Sequence, residues 1–177
     1  AVDPVEGRVM KPFTWSYSRL KNFETCPKRH YEIDIAKNIK EEESDQLFWG
    51  NEVHKAAAKR LTIGTKLGPG MESKRTCVCF MFMDIRNFTP LVEKMLGFDR
   101  KWRPVPWDDW ANCWGRIKMD VRYVEDGVSY PIDHKTGRYK PEVVAEYMLQ
   151  LGLYSVGDLV HLPEIDRVEP RLWFLDH

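Results

Sequence analysis

No apolar run in the chain approaches the roughly 20 residues that a membrane-spanning helix needs. No signal peptide opens it either, so neither membrane insertion nor export is expected. Internal repeats and low-complexity tracts are absent, which excludes solenoid and fibrous architectures. Cysteine is sparse, with four residues, none of them beyond Cys113 and no disulfide pattern among them. That usage suits a reducing cytoplasm rather than a secreted scaffold. Cys77-x-Cys79 reads as strand or core, because two thiols alone make a poor zinc site. Net charge is zero, with 27 basic against 27 acidic residues, so bulk electrostatics select no partner.

What is present suits an ordinary globular protein. A hydrophobic content of 43% and a charged content of 31% over 177 residues predict one domain, residues 1–177, with a real core. The charge is unevenly spread. Residues 63–140 carry 14 Lys and Arg against 10 Asp and Glu, whereas residues 141–177 carry 2 against 7. A tryptophan-rich stretch from Lys101 to Trp114 lies in the basic part. Positive charge there can steer a phosphate backbone, and exposed indoles can stack on unpaired bases. The alternative is that Trp102, Trp107, Trp110 and Trp114 are core and cover.

The chemistry concentrates around Tyr130-Pro131-Ile132-Asp133-His134-Lys135-Thr136-Gly137. Residues i and i+2 of a strand share a face, so Asp133 and Lys135 stand side by side where the strand ends. A carboxylate there can hold a divalent metal, and the ammonium can orient water or neutralise charge on a phosphorus centre. An Asp-x-Lys by itself is commonly a solvated surface pair. Upstream, residues 116–124 alternate polar and apolar around Asp120, which predicts a half-buried strand. Glu125-Asp126-Gly127 makes a turn, and Val128 to Lys135 returns antiparallel, bringing Asp120 toward Asp133. Two carboxylates in one site repel unless a proton or cation intervenes, which points to a hard cation with oxygen ligands.

Pro141 stands at a first helical position, and an amphipathic helix is expected through Tyr154, with Val143, Val144, Tyr147, Met148 and Leu151 inward. Gln150 and Tyr154, four apart, share a helix face; on the plain reading Tyr154 is core and Gln150 a rim residue. An earlier helix is predicted from Asn51 as N-cap into an Ala-rich run, with His54 in its first turn. A lone histidine there is structural, exposed or a metal ligand.

The order of these elements resembles the RecB-type branch of the PD-(D/E)xK nuclease superfamily. Ser16-x-Ser18-x-Leu20-x-x-Phe23-x-x-Cys26-Pro27, with Tyr31 one place late, is similar to the opening of that branch. Gly50-x-x-x-His54 and Ile132-Asp133-x-Lys135-Thr136-Gly137 are similar to its next motifs, so the likeness spans residues 14 to 155. The second motif departs from the usual spacing, since Gly115 stands five residues before Asp120. The resemblance implies an α/β, restriction-endonuclease-like core, a central mixed β-sheet flanked by helices, with an N-terminal helical segment. It implies that His54, Asp120, Asp133 and the backbone carbonyl of His134 ligate Mg²⁺ or Mn²⁺. Glu93 would be the acid carried on the first core strand. Lys135 would be the catalytic lysine, with Gln150 and Tyr154 organising the site. Relatives with an iron-sulfur cluster place a cysteine at the position of Cys26 and three more after the Gln-x-x-x-Tyr helix. This chain has none there, so no cluster is expected.

The implied activity is metal-dependent hydrolysis of DNA, exonucleolytic at DNA ends in recombination, repair or phage DNA processing. DNA is the implied partner, beside recombination or replication proteins. Two rivals stand beside it. One is an inactive nuclease-like module for DNA binding or assembly. The other is a nucleotide cyclase fragment, since Phe82 to Glu93 around Asp84 is similar to the opening of class III nucleotide cyclases, although the rest of that motif set is missing. Leu172-Trp173-Phe174-Leu175 predicts a late strand.

Overall fold

The computed structural model describes residues 13–72 and 90–175. Cys77, Cys79 and Asp84, which the sequence singled out, lie outside the described residues. Among the described residues the chain has an α/β fold with a mixed sheet and four α-helices. It divides into two compact units, Ala1–Glu42 with Met95–Ile117, and Glu43–Lys94 with Lys118–His177. Among the described residues the strands β1 (Leu91–Phe98), β2 (Pro104–Val105), β3 (Gly115–Glu125), β4 (Val128–Lys135), β5 (Arg167–Val168) and β6 (Arg171–Phe174) are ordered β2-β1-β3-β4-β5, with β6 also beside β4. None of the described helices is long and apolar enough to cross a membrane.

The first unit opens with α1 (Tyr17–Thr25) and α2 (Pro27–His30), followed by a π-helical turn (Tyr31–Ile35). Pro27 explains the break between the helices. A residue before proline is pushed out of the helical region, and Cys26 is extended at φ −161° while Pro27 starts α2. The thiol of Cys26 accepts the Arg29 N–H at 3.4 Å, a structural capping role. The tryptophans divide into two groups here. Trp15, Trp102 and Trp114 meet edge to face at 5.4–5.8 Å. Trp107 and Trp110 flank the Arg116 guanidinium at 5.0 and 3.7 Å, and Trp110 is 64% exposed. Gly115 has its own local reason: a Cβ there would come within 2.7 Å of the Trp15 ring, beside which it pairs.

The second unit holds α3 (Asp45–Ile63), most of β3 (Gly115–Glu125), β4 (Val128–Lys135), α4 (Pro141–His161), β5 (Arg167–Val168) and β6 (Arg171–Phe174). The β1 strand (Leu91–Phe98) and β3 each run from one unit into the other; β2 is Pro104–Val105. Asp126 and Gly127 both have positive φ, 49° and 74°, the two-residue turn whose twist matches that of the flanking strands. The resulting β3–β4 register pairs Glu125 with Val128 and Val121 with Ile132. After β4 the chain crosses through α4 and returns parallel, β6 pairing Asp133 with Leu172 and Lys135 with Phe174. The expected late strand is this one.

Two expectations about helices are corrected. Helix α3 starts at Asp45 with Ser44 as N-cap, its hydroxyl accepting the Leu47 N–H at 3.2 Å. Asn51 therefore lies within the helix, its amide donating to Glu43, and His54 lies in the third turn rather than the first. Helix α4 begins at Pro141 as expected but runs on to His161, and Met148 is 58% exposed rather than inward. The buried side of α4 is Leu151, Tyr154, Gly157 and Asp158.

Val121, Tyr123 and Ile132 centre the core of this unit, with Leu61, Tyr130 and Trp173 packed against them. A buried polar cluster ties the hairpin to α4. Arg122 donates to Asp158 Oδ1 at 2.8 Å, and the Ser129 hydroxyl to Asp158 Oδ2 at 2.6 Å. Asp158 is 0% exposed and Arg122 3%. Breaking a buried pair strands one charge away from water, at about 3–5 kcal/mol. Asp158→Ala is expected to lose about that much in denaturant unfolding. A loss well below 1 kcal/mol would show that the pair is solvated and holds nothing together.

Candidate active site

Four segments of the second unit supply the expected site. His54 comes from the middle of α3, Asp120 from β3, Asp133 and Lys135 from the end of β4, and Gln150 and Tyr154 from successive turns of α4. The hairpin register explains the first approach. The β3–β4 pairing runs up to Val121–Ile132, and Asp120 and Asp133 are the next residues on the two strands, near enough that the charge of Asp120 acts on Asp133. His54 Nδ1 lies 3.2 Å from Asp120 Oδ1, and the His134 N–H donates to Asp120 Oδ2 at 2.8 Å. The α3 backbone comes close to this end of β4 because residue 50 is glycine: a Cβ there would press on Thr136 Oγ1 at 3.3 Å.

Asp133 is held from the other side. Its Oδ1 accepts from the Gln150 amide at 2.8 Å and from the Tyr154 hydroxyl at 3.0 Å, while the same amide donates to the Tyr154 oxygen at 2.8 Å. The Lys135 ammonium donates to Gln150 Oε1 at 3.2 Å and stands 2.7 Å from Asp133 Oδ2. It also lies 4.3 Å from the centroid of the Tyr147 ring. Gln150 is thus no solvated rim residue; it joins the Asp133 carboxylate, the Lys135 ammonium and the Tyr154 phenol. Tyr154 is core, as the plain reading had it, and part of the site as well, at 3% exposure.

Burial and charge set the protonation of the two acids in opposite directions. Burial pushes the Asp133 carboxyl up, and the neighbouring Asp120 charge adds to it, against the pull of Lys135. Burial works against Asp120 also, but the hydrogen bond and charge of His54 outweigh it and hold Asp120 below its ordinary value. His54 is raised in turn, burial opposing its charge and Asp120, then Asp133, favouring it. His134 is buried with its ring stacked on Trp173 at 5.9 Å, and burial depresses it to about 4, so it is neutral at pH 7. Burial and the Asp133 charge push the Tyr154 hydroxyl far up, so it keeps its proton and donates it.

Glu93 sits on β1 at φ 54°, with its carboxylate ion-paired to Lys118, two residues along β3 from Asp120. Its partner is that lysine rather than Asp120 or Asp133. Among the described residues no three His, Cys, Asp or Glu side chains are already gathered as a ligand set. Asp120 is held by His54, and Asp133 by Lys135. Of the oxygens of these two acids, one lacks an aligned donor. Asp133 Oδ2 is buried and has no aligned hydrogen-bond donor, only the ammonium beside it. A buried carboxylate oxygen in that state, near a second carboxylate and an imidazole, fits a divalent cation.

His54, His134, Lys135, Gly50, Thr136 and Tyr147 are among the walls of a cleft of about 250 Å³. Sequence reasoning took from His134 only its carbonyl and missed its N–H to Asp120, because a backbone donor leaves no mark in residue type. It also missed Tyr147, although the spacing of Tyr147, Gln150 and Tyr154 by three and four puts them near one helix face. No family model matches the chain, and no curated protein matches it.

Because burial raises the Asp133 pKa, its ionised form costs stability at neutral pH in the metal-free protein. Asn in its place keeps an oxygen for Gln150 and Tyr154 and removes the charge. Asp133→Asn is therefore expected to leave the metal-free Tm at pH 7 equal or higher, read by differential scanning fluorimetry. A fall of several degrees would mean that the Lys135 ion pair outweighs desolvation.

Proposed function

We propose that this chain is a metal-dependent deoxyribonuclease of the RecB-type branch of the PD-(D/E)xK superfamily, with a restriction-endonuclease-like core. It acts as an exonuclease on DNA ends in recombination, repair or phage DNA processing. The observation that carries this reading is the convergence of His54, Asp120, Asp133, Lys135, Gln150 and Tyr154 on one network. These residues are spread over 100 positions of chain and share no structural need to meet. A purely structural ion-pair cluster would not require two acids to stand so near each other.

In this reading His54, Asp120, Asp133 and the His134 carbonyl hold Mg²⁺ or Mn²⁺. The bound ion would lower the pKa of a water and screen the phosphate. The protein's own groups do the rest. Lys135, fixed between Asp133, Gln150 and the Tyr147 face, presents a positive charge to the phosphate oxygens as negative charge builds on them. Gln150 and Tyr154 hold the Asp133 carboxylate in a single orientation. Tyr154 retains its proton throughout, so it positions and does not act as a base. In the first unit, the Trp110 indole, exposed on one side and backed by Arg116, supports contact with an unpaired base.

The test is incubation with end-labelled linear and closed circular DNA, with and without Mg²⁺ or Mn²⁺, beside an ATP and GTP conversion control. Metal-dependent loss of linear DNA alone is expected. Nicked circles would indicate an endonuclease, nucleotide conversion a cyclase, and binding without cleavage an assembly module. Lys135→Ala should lower turnover by about 10²–10³. Metal binding measured by calorimetry should persist in it, since a protonated lysine offers no lone pair. Loss of metal affinity as large as in Asp133→Ala would contradict the role given to Lys135.

A further inference from the structure

The link from β4 to α4 does more than connect them. Thr136 and Gly137, its first two residues, are walls of the cleft that also holds His54 and Lys135. Its last three, Arg138, Tyr139 and Lys140, are exposed. Neither of the two cations has an ion-pair partner among the described residues. A lone exposed aromatic is ordinary on a protein surface. Tyr139 differs because it is held. Its ring meets Phe174 edge to face, with centroids 5.3 Å apart and planes at 88°, yet the residue is 53% exposed. A braced ring with an open side loses little further freedom when a second planar group settles on it.

The strand register fixes where that ring stands. In the parallel β4–β6 pair Phe174 is the partner of Lys135, and just beyond it the Leu175 N–H donates to the Lys135 carbonyl at 2.8 Å. Side chains alternate along a strand, and paired residues on neighbouring strands share a face. Phe174 therefore lies on the sheet face that carries the Lys135 ammonium, one strand away, at a spacing of about 4.8 Å. Tyr139, seated on Phe174, flanks the proposed phosphate site on its β6 side.

Next to a phosphate on a DNA strand comes a base. A duplex offers neither face of an internal base to a side chain, whereas an unpaired strand offers both. Arg138 and Lys140, on either side of the ring in sequence, supply positive charge for the phosphates that flank such a base.

We propose that Tyr139 stacks on the unpaired base beside the scissile phosphate, so that the strand to be cut is held single-stranded at the site. The proposal rests on the nuclease reading for the place of that phosphate, but its test requires no cleavage. Fluorescence anisotropy of the full chain, with Ca²⁺ replacing Mg²⁺, compares a blunt duplex with the same duplex carrying a single-stranded tail. Tyr139→Ala should keep the circular dichroism spectrum, weaken binding of the tailed DNA about tenfold and leave blunt-duplex binding unchanged. Tyr139→Phe, which keeps the ring, should bind as the wild type does, and Tyr139→Leu should fall with Tyr139→Ala. Stripping the bases from the tail, with abasic residues in their place, should cost the wild type more than it costs Tyr139→Ala. Equal losses on tailed and blunt DNA, wild-type binding by Tyr139→Ala, or an equal abasic penalty in both proteins would each overturn the proposal. Metal-dependent cleavage alongside any of these would leave the nuclease reading standing. Tail binding that depends on Tyr139, in a protein that cuts no DNA with Mg²⁺ or Mn²⁺, would support the stacking site and overturn the nuclease reading instead.

Discussion

Two carboxylates brought close together at one end of a hairpin, both largely withdrawn from water, are the constraint around which the second unit is arranged. Like charges at that distance in a poor dielectric cannot stand alone. The molecule answers each acid with a different partner. Asp120 receives an imidazole from α3 and a backbone N–H from β4, and stays ionised. Asp133 receives the Lys135 ammonium, an amide and a phenol, the last two from α4, and is driven the other way by burial. The approach of α3, with glycine at residue 50, and the face that α4 turns to the sheet both serve this compensation.

That arrangement sets a basic group of the chain itself beside each acid. Two of the groups that neutralise them, the ring of His54 and the Lys135 ammonium, are those on which the proposed chemistry depends. A cation entering between the carboxylates would take over the work of counter-charge, and Lys135 would be left to face substrate. The energetic logic is substitution of one positive charge for another.

The hairpin was legible in the sequence because its signals are local. Alternation over residues 116–124, Asp126-Gly127 and the apolar lead into Asp133 each fix backbone geometry within a few residues. Register then follows, and with it the meeting of Asp120 and Asp133. Pro141 marked the start of α4 for the same reason. The start of α3 was missed because both Ser44 and Asn51 are good caps, and the apolar Leu47, Phe48 and Trp49 between them are all exposed, so no buried stripe marks the first turn. Met148 was assigned inward because α4 is apolar on two sides, and periodicity alone cannot say which side faces the sheet. The Arg122–Asp158 pair was invisible, since partners 36 residues apart on a strand and a helix are joined only by the fold. The Gly115 spacing looked like an irregular motif; its cause is the Trp15 ring, distant in sequence.

Diffraction at the manganese absorption edge, from crystals grown with Mn²⁺, tests the central claim most directly. The account predicts an anomalous peak bound by Asp120, Asp133 and a ring nitrogen of His54, with the nitrogen about 2.0–2.2 Å from the ion and the Lys135 ammonium turned from Asp133 toward the cleft. No peak at saturating Mn²⁺, with the Lys135–Asp133 and His54–Asp120 pairs unchanged, would contradict it and leave the cluster a structural ion-pair network.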